Sequence, residues 1–168
     1  TRTPSSDGNK KTWTISFWMK PAVVSTAQTV IFDGGGVSTT ETPLMVVDDQ
    51  WIEFNMWDSA TSSQLFKIKT NQEFRDPSAW YHIVLVYDSP QLTAADRIKL
   101  YVNGSQVTSL STANYPSQNL EASVNDNYEH YIGSGAQPND WSGYLAQFYL
   151  IDGSALTPSY FGETNALT

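Results

Sequence analysis

A chain of 168 residues has the size of one domain, and the absence of cysteine means that its fold does not depend on disulfides. Its 17 acidic side chains against 9 basic ones give a net charge of −8, which argues against nucleic acid and anionic membrane surfaces as partners. The longest apolar runs are far too short to span a bilayer, so no membrane insertion is expected. The chain starts at Thr1 without an apolar leader, and we expect a domain excised from a larger protein.

The first predicted strand alternates between apolar and mixed positions from Trp13 to Met19. This period of two is typical of a strand with one face in a core, where Trp13 is expected, and a second face that carries Trp18. Pro21 ends the strand because it lacks the amide hydrogen that a ladder needs. A short strand follows at 29–33 and stops at three consecutive glycines.

A tight hairpin is predicted at Asp48-Asp49-Gln50, which separates strands at 44–47 and 51–57. In the second strand the apolar side chains at 52, 54 and 56 face one way. The set that faces the other way consists of Trp51, Glu53, Asn55 and Trp57. The alternation therefore predicts a strand with one buried face and one mixed, partly polar face.

The next strands are predicted at 64–69 and 81–87, and the second is apolar on both faces apart from His82, as expected of a central strand. Asn103-Gly104 lies between two alternating runs and predicts a two-residue type I′ hairpin, because both of its central residues need positive φ. That turn places Leu100 opposite Val107, so that two apolar side chains share one face.

The last two strands are predicted at 128–133 and 143–151. Single helical turns are predicted at 76–79 and 157–162, which begin with Asp or Thr followed by proline. About ten short strands with almost no helix indicate an all-β sandwich or barrel.

Four segments together resemble the laminin G-like branch of the concanavalin A-like jelly rolls. They are residues 13–21 (WTISFWMKP), 80–88 (WYHIVLVYD), 98–104 (IKLYVNG), and 132–133 (IG) followed by 141–148 (WSGYLAQF). This resemblance implies a two-layer antiparallel β-sandwich, a single domain that spans 1–168. The family commonly carries Asp-Glu in the last core strand, where this chain has Ala146 and Gln147.

A narrower likeness concerns three other segments, residues 1–6 (TRTPSS), 74–80 (FRDPSAW) and 150–163 (LIDGSALTPSYFGE). They look like modules found in structural proteins of bacteriophages and other viruses, such as tail fibres. This likeness implies a virion-surface or extracellular location, an attachment role, and other virion proteins as partners. A homo-oligomer such as a trimer stays open.

Catalysis is not expected. Jelly-roll glucanases place Glu-x-Asp-x-x-Glu on one strand so that the carboxylates enter the cleft together, and this spacing does not occur in the chain. Of the two histidines, His82 is expected to face the opposite layer of the sandwich, and His130 to pack or stack in a Tyr-rich strand. The sequence therefore predicts a protein that is not an enzyme.

Calcium is the cofactor considered, because it prefers several oxygen ligands at once. The candidate ligands lie in oxygen-rich loops and are Asp33, Asp48, Asp49 and Asp126. The alternative explanation is turn chemistry, since Asp, Asn and Gly are the residues that turns require.

A glycan is the predicted ligand, because sugars offer hydroxyl groups for hydrogen bonds and C–H faces for aromatic stacking. The candidate residues form three groups: Trp57 with Asp58, Asn125 with Asp126 and Tyr128, and Asn139 with Asp140 and Trp141. The alternative for the two tryptophans is that they cap the ends of the core. Trp80 is expected to be a structural plug below its strand.

Three functions remain open at this point. The first is a host-attachment module that binds host-surface polysaccharide from a virus particle. The second is a structural decoration or spacer domain of the particle. The third is a carbohydrate-binding module of a secreted enzyme that degrades polysaccharide.

Overall fold

The structure is a computed structural model that describes residues 1–22, 27–35, 41–48, 50–135 and 139–162, without the side chains of 41–44 and 48. The strands in chain order are β1 (Thr12–Pro21), β2 (Thr29–Asp33), β3 (Glu41–Asp48), β4 (Trp51–Asp58), β5 (Ser63–Glu73), β6 (Tyr81–Asp88), β7 (Ile98–Val102), β8 (Ser105–Gln106), β9 (Leu110–Asn114), β10 (Tyr131–Ile132) and β11 (Gly143–Asp152). Short 3-10 turns occupy Ala94–Asp96 and Pro158–Tyr160. Within the described residues, no helix has both the length and the apolar character that a membrane crossing requires.

The strands form two antiparallel sheets. One sheet has the order β11-β1-β6-β7-β8, and the other has the order β10-β2-β3-β4-β5-β9. The apolar sets of both sheets meet between them, where the Trp13 ring stacks on Tyr87 with centroids 4.9 Å apart and meets Phe54 edge-on. The predicted all-β, two-layer sandwich is confirmed.

The predicted hairpin at Asn103-Gly104 is confirmed in turn and register. Both residues have positive φ, 48° and 83°, as a type I′ turn requires. The Val107 amide donates to the Leu100 carbonyl at 2.8 Å, which is the predicted pairing. β6 lies in the middle of its sheet, as its two apolar faces predicted.

Three local predictions need correction. The strand predicted at 128–133 is reduced to Tyr131–Ile132, because His130 pairs instead with the backbone of Arg2 in the N-terminal segment. The turn predicted as helical at 76–79 is closed by the Asp76 carboxylate, which accepts from the Ser78 amide at 2.8 Å. The polar edge strand β9 was not predicted, because its sequence LSTAN lacks apolar alternation.

The outward side of the five-stranded sheet is covered by residues 153–162, which we call the C-terminal strap. Thr14 and Ser16 point away from the core, yet both are buried. The Thr14 hydroxyl donates to the Ser154 carbonyl at 2.7 Å and accepts from the Leu156 amide at 2.9 Å. The Thr14 side chain therefore fastens the strap near the start of β1, next to the backbone bond that the Gly153 amide donates to the Thr12 carbonyl.

Candidate functional site

The outward side of the six-stranded sheet carries a polar and aromatic surface, which we call the β4–β5–β9 face. In β4 the side chains of Ile52, Phe54 and Met56 enter the core, so the intervening ones point outward. Residues directly opposite on neighbouring strands share a face, and this pairing adds residues of β5 and β9. The face consists of Trp51, Glu53, Asn55, Trp57, Gln64, Lys67, Lys69, Glu73, Thr112 and Asn114.

A buried ion pair forms the centre of this face. The Glu53 side chain is almost fully buried, although it lies on the outward side of the sheet, and its carboxylate lies 2.7 Å from the Lys67 ammonium. The Asn55 amide donates to the same carboxylate at 2.7 Å. These bonds hold the amide of Asn55 and the ammonium of Lys67 in place, and both groups retain further hydrogen-bonding capacity.

Two indole rings lie on either side of the ion pair. Trp57 is 41% exposed near one end of β4, and Trp51 lies near the other end with the Lys69 ammonium 4.8 Å from its ring centroid. Six residues of strand separate the two tryptophans by about 20 Å. The face thus offers an exposed aromatic ring, a rigid polar centre and a length that suits a ligand of several rings.

Asp58, which was predicted together with Trp57, is engaged in its own turn. Its carboxylate accepts from the Ala60 amide at 2.9 Å and from the Thr61 hydroxyl at 2.6 Å. The hydrogen bond from Thr61 lowers the pKa of Asp58 below its usual value. Asp58 therefore shapes the turn from β4 to β5 that follows Trp57.

The group Asn125, Asp126 and Tyr128 lies elsewhere and fastens the N-terminal segment. The buried side-chain amide of Asn125 donates to the Asn9 carbonyl at 3.1 Å and to the Asp152 carboxylate at 3.2 Å. Asp126 forms an ion pair with Lys10 at 3.1 Å. Tyr128 is as exposed as Trp57, at 41%, but it is not part of the β4–β5–β9 face.

A cleft of about 470 Å³ separates the N-terminal segment from the open edge of the sandwich. Phe32 and Phe148 form its floor, and Asn125 and His130 contribute to its wall. The wall is built mainly from residues 1–8, and the polar groups of Asn125 and His130 bond to neighbouring backbone. The side chains of Asn125 and His130 therefore serve the packing of the N-terminal segment.

The third predicted group, Asn139, Asp140 and Trp141, lies beside β2. The Asn139 carbonyl accepts from the Val30 amide at 2.7 Å, and Asp140 forms a bridge to the same residue. Trp141 is half-buried and packs against the core. The alternative explanation, a cap on the end of the core, describes Trp141.

The predicted calcium ligands do not converge among the described residues. Asp33 is buried and accepts from the Gly35 amide at 3.0 Å, as turn chemistry requires. Asp126 is paired with Lys10, whereas Asp49 and the side chain of Asp48 lie outside the described residues. In the part of the chain that the structure describes, no group of three His, Cys, Asp or Glu side chains could hold a metal ion.

Two predictions about the five-stranded sheet were wrong. His82 points outward and not toward the opposite layer, because Tyr81 and Ile83 take the inward positions of β6. Its ring stacks on Trp18, with centroids 4.9 Å apart, and lies 3.0 Å from the Ser16 hydroxyl. Trp80 is not a buried plug, since it is 43% exposed.

We expect the domain to lose stability as the pH falls below about 6.5, because burial lowers the pKa of His130 from that ordinary value. The ring is neutral in the fold, because its Nε2 atom accepts from the backbone amide of Asn125 at 3.1 Å while its Nδ1 atom donates to the Tyr128 carbonyl at 2.8 Å. The unfolded chain binds a proton at a higher pH than the fold does, so this stability is complete above the ordinary value and is lost below it. Burial lowers the pKa of His82 as well, which acts in the same direction.

Urea unfolding at several pH values between 7.5 and 5 measures this effect, with His130→Gln as the comparison. We expect the free energy of unfolding of this variant to depend less steeply on pH than that of the wild type. Equal slopes would show that His130 is not the group responsible.

Comparisons with known proteins agree with this architecture. A family model described as the concanavalin A-like lectin/glucanases superfamily matches residues 1–159. No curated protein sequence matches the chain significantly.

Solved structures with similar folds include several sugar-bound domains. Domain 4 of an extracellular arabinanase from Geobacillus stearothermophilus, in complex with arabinotriose, is 19% identical with a TM-score of 0.60; the match covers 92% of this chain and 67% of that one. A CBM40 domain of a Ruminococcus gnavus sialidase, bound to α2,6-sialyllactose, is 11% identical with a TM-score of 0.60, covering 92% and 91%. A pentraxin from Limulus polyphemus is 18% identical with a TM-score of 0.51, covering 92% and 70%.

At these identities the solved structures show the fold, and the family model extends over all but the last nine residues of the chain. The two-sheet architecture and the match along the sequence agree. The chain therefore belongs to the concanavalin A-like lectin/glucanase superfamily.

Proposed function

We propose that this domain is a non-catalytic carbohydrate-binding module and that its ligand binds on the β4–β5–β9 face. The observation that carries the proposal is the exposed ring of Trp57 beside the ion pair of Glu53 and Lys67. Sugar rings present C–H faces that pack on an indole and hydroxyl groups that bond to fixed polar groups. The face supplies both, in a domain whose fold is similar to that of sugar-bound domains.

The polar centre suits hydroxyl groups in particular. A sugar hydroxyl both donates and accepts hydrogen bonds. The side-chain carbonyl oxygen of Asn55 can accept one, and the Lys67 ammonium can donate several. Because Glu53 holds both groups, they lose little conformational entropy when a ligand binds. Trp57 then determines which side of the sugar faces the sheet.

The chemistry of the face supports binding without hydrolysis. Glycosidases of both stereochemical types use two carboxyl groups on opposite sides of the scissile bond. Glu53 has the carboxylate at the centre of the face, where it is paired with Lys67, and Glu73, which lies opposite Trp51, is paired with Arg75. Incubation with β-glucans should therefore release no sugar, and turnover would contradict the proposal.

Replacing Trp57 with alanine should weaken glycan binding about tenfold, because a stacking surface is lost while the ring contributes little to the core. Tyr128→Ala is the matched control, since its side chain is exposed to the same extent but lies outside the face. A glycan array identifies the ligand, and titration calorimetry then compares the wild type with both variants. Equal affinities of the wild type and Trp57→Ala would place the ligand elsewhere.

We extend the proposal to host attachment from the surface of a virus particle or from the extracellular space. The support is the likeness of residues 1–6, 74–80 and 150–163 to modules of viral structural proteins, together with a composition in which 15% of the residues are charged. Labelling intact particles with an antibody against the domain tests the location. Isolated domain that blocks adsorption to host cells would support attachment, and a domain that does not compete would favour the spacer function.

A further inference from the structure

A groove lies on the side of the sandwich opposite the β4–β5–β9 face, at the end of the C-terminal strap. The strap crosses the outward side of the five-stranded sheet and ends in the 3-10 turn Pro158–Tyr160. Between this turn and the beginning of β6 the surface encloses about 690 Å³, which we call the strap groove. The described residues that line it are Trp18, Trp80, His82, Asn103, Gly104, Pro158, Ser159, Phe161 and Gly162.

Four aromatic rings line this groove. Trp18 and His82 are cross-strand neighbours whose rings stack at 4.9 Å. The Phe161 ring lies 6.4 Å from His82 and contributes from the strap, while Trp80 is 43% exposed. The sheet therefore provides a floor and the strap provides a wall, so the shape is built by packed elements.

The polar groups in the groove are uncharged. Among its described lining residues there is no Asp, Glu, Lys or Arg, and burial lowers the pKa of His82, which disfavours the charged form of its ring. The Asn103 carbonyl oxygen accepts from the His82 amide at 2.8 Å, which orients the NH₂ group of the same side chain as a donor. Because Gly104 has no side chain, the backbone of the hairpin is accessible at this position. An ionic ligand would find no counter-charge on these residues.

We propose that the strap groove is a second carbohydrate site, which binds an uncharged saccharide by stacking against Trp18 and Trp80 and by hydrogen bonds to Asn103. Aromatic rings combined with an oriented neutral donor are groups that a sugar uses. A peptide added as an extra strand finds no free edge here, because β6 pairs on both sides and the groove lies on the face of the sheet. The inference stands independently of the β4–β5–β9 face.

The two sites would open in opposite directions. Each lies on the outward side of one layer of the sandwich, and the core of packed side chains separates them. One domain would therefore hold two glycan chains at once and could link them. On a glycan-coated surface, such a bivalent domain would bind with an avidity above the affinity of either site.

The experiment compares lactose with sialyllactose as a matched neutral and acidic pair, alongside neutral gluco- and manno-oligosaccharides at millimolar concentration. The probe is the NMR signal of the indole N–H groups, which reports each tryptophan separately. We expect a neutral sugar to shift the signals of Trp18 and Trp80, and sialyllactose to shift them less than lactose. Trp80→Ala should reduce this affinity at least tenfold, with an unchanged melting temperature because the ring is exposed.

Trp57→Ala separates this inference from the proposed function. If the second site exists, this variant still binds neutral sugar through Trp18 and Trp80, even when binding at the β4–β5–β9 face is lost. The inference is overturned if none of the neutral sugars shifts the Trp18 and Trp80 signals. It is equally overturned if the groove binds proline-rich peptides instead, or if Trp80 becomes protected by self-association as the protein concentration rises.

Discussion

Replacing Lys67 with methionine should destabilise the domain by about 3 kcal/mol, because the substitution leaves a buried carboxylate without its cation. Glu53 is 2% exposed, and the Lys67 ammonium at 2.7 Å is its partner of opposite charge. Asn55 would remain as a hydrogen-bond donor, but a neutral amide does not compensate a full charge. Methionine has a similar length, so the loss reports the charge and not a cavity. Urea unfolding measures the difference as a shift of the midpoint at constant m-value.

Lys69→Met is the matched control for that measurement. Lys69 lies on the same strand and face, but its ammonium lies over the Trp51 ring, an interaction worth about 0.5–1 kcal/mol at exposed sites. A second comparison is the double variant Glu53→Leu with Lys67→Met, which removes both charges and should recover most of the stability. If Lys67→Met is no less stable than Lys69→Met, the ion pair does not stabilise the sheet.

Glycan binding explains why the ion pair of Glu53 and Lys67 lies at the centre of a sheet face. Replacing a buried ion pair by apolar side chains is often neutral or stabilising, so stability alone does not require Glu53 and Lys67. The double variant should therefore fold and still lose glycan binding, because it removes the donors and the group that orients Asn55. A stable double variant that binds as the wild type does would separate the ion pair from recognition.

Much of the face could be predicted from the alternation within one strand. Trp51, Glu53, Asn55 and Trp57 occur at every second position opposite three core residues, and the structure places all four outward. The type I′ hairpin at Asn103-Gly104 and the central position of β6 were predictable for the same reason, since each depends on local residues. The signal that could have identified Glu53 was a carboxylate on the same strand face as two tryptophans.

The contacts between distant segments could not be predicted in this way. The contact between Lys67 and Glu53 depends on the register of β4 and β5, which shifts beside Trp51 and Met56. No residue of β4 indicates these shifts in the sequence. Asn125 bonds to Asn9, which is 116 residues away, so a loop that resembles a ligand site serves instead to fasten the N-terminal segment. The prediction for His82 was wrong because alternation separates the two faces of β6 without showing that the C-terminal strap covers the outward one.

Replacing Thr14 with valine should destabilise the domain by about 2 kcal/mol, since it leaves a carbonyl and an amide of the C-terminal strap without their partner. Valine keeps the branched shape of threonine, so packing in β1 changes little while the hydroxyl group is lost. That hydroxyl is fully buried and bonds at 2.7 Å to the Ser154 carbonyl and at 2.9 Å to the Leu156 amide. Thr112→Val in the edge strand β9 is the control, and its stability should stay within about 0.5 kcal/mol of the wild type.

The consequence of Thr14→Val should extend to the strap groove, whose wall continues from the same segment to Phe161. Hydrogen exchange measures this effect, because the Leu156 amide loses its acceptor and the amides that follow open more often. We expect faster exchange along the strap and unchanged exchange in β4, since the core separates the two outward sides of the sandwich. Exchange that rises equally in both sheets would mean that the strap opens only when the whole domain unfolds, and then Thr14 would stabilise the fold without controlling the groove.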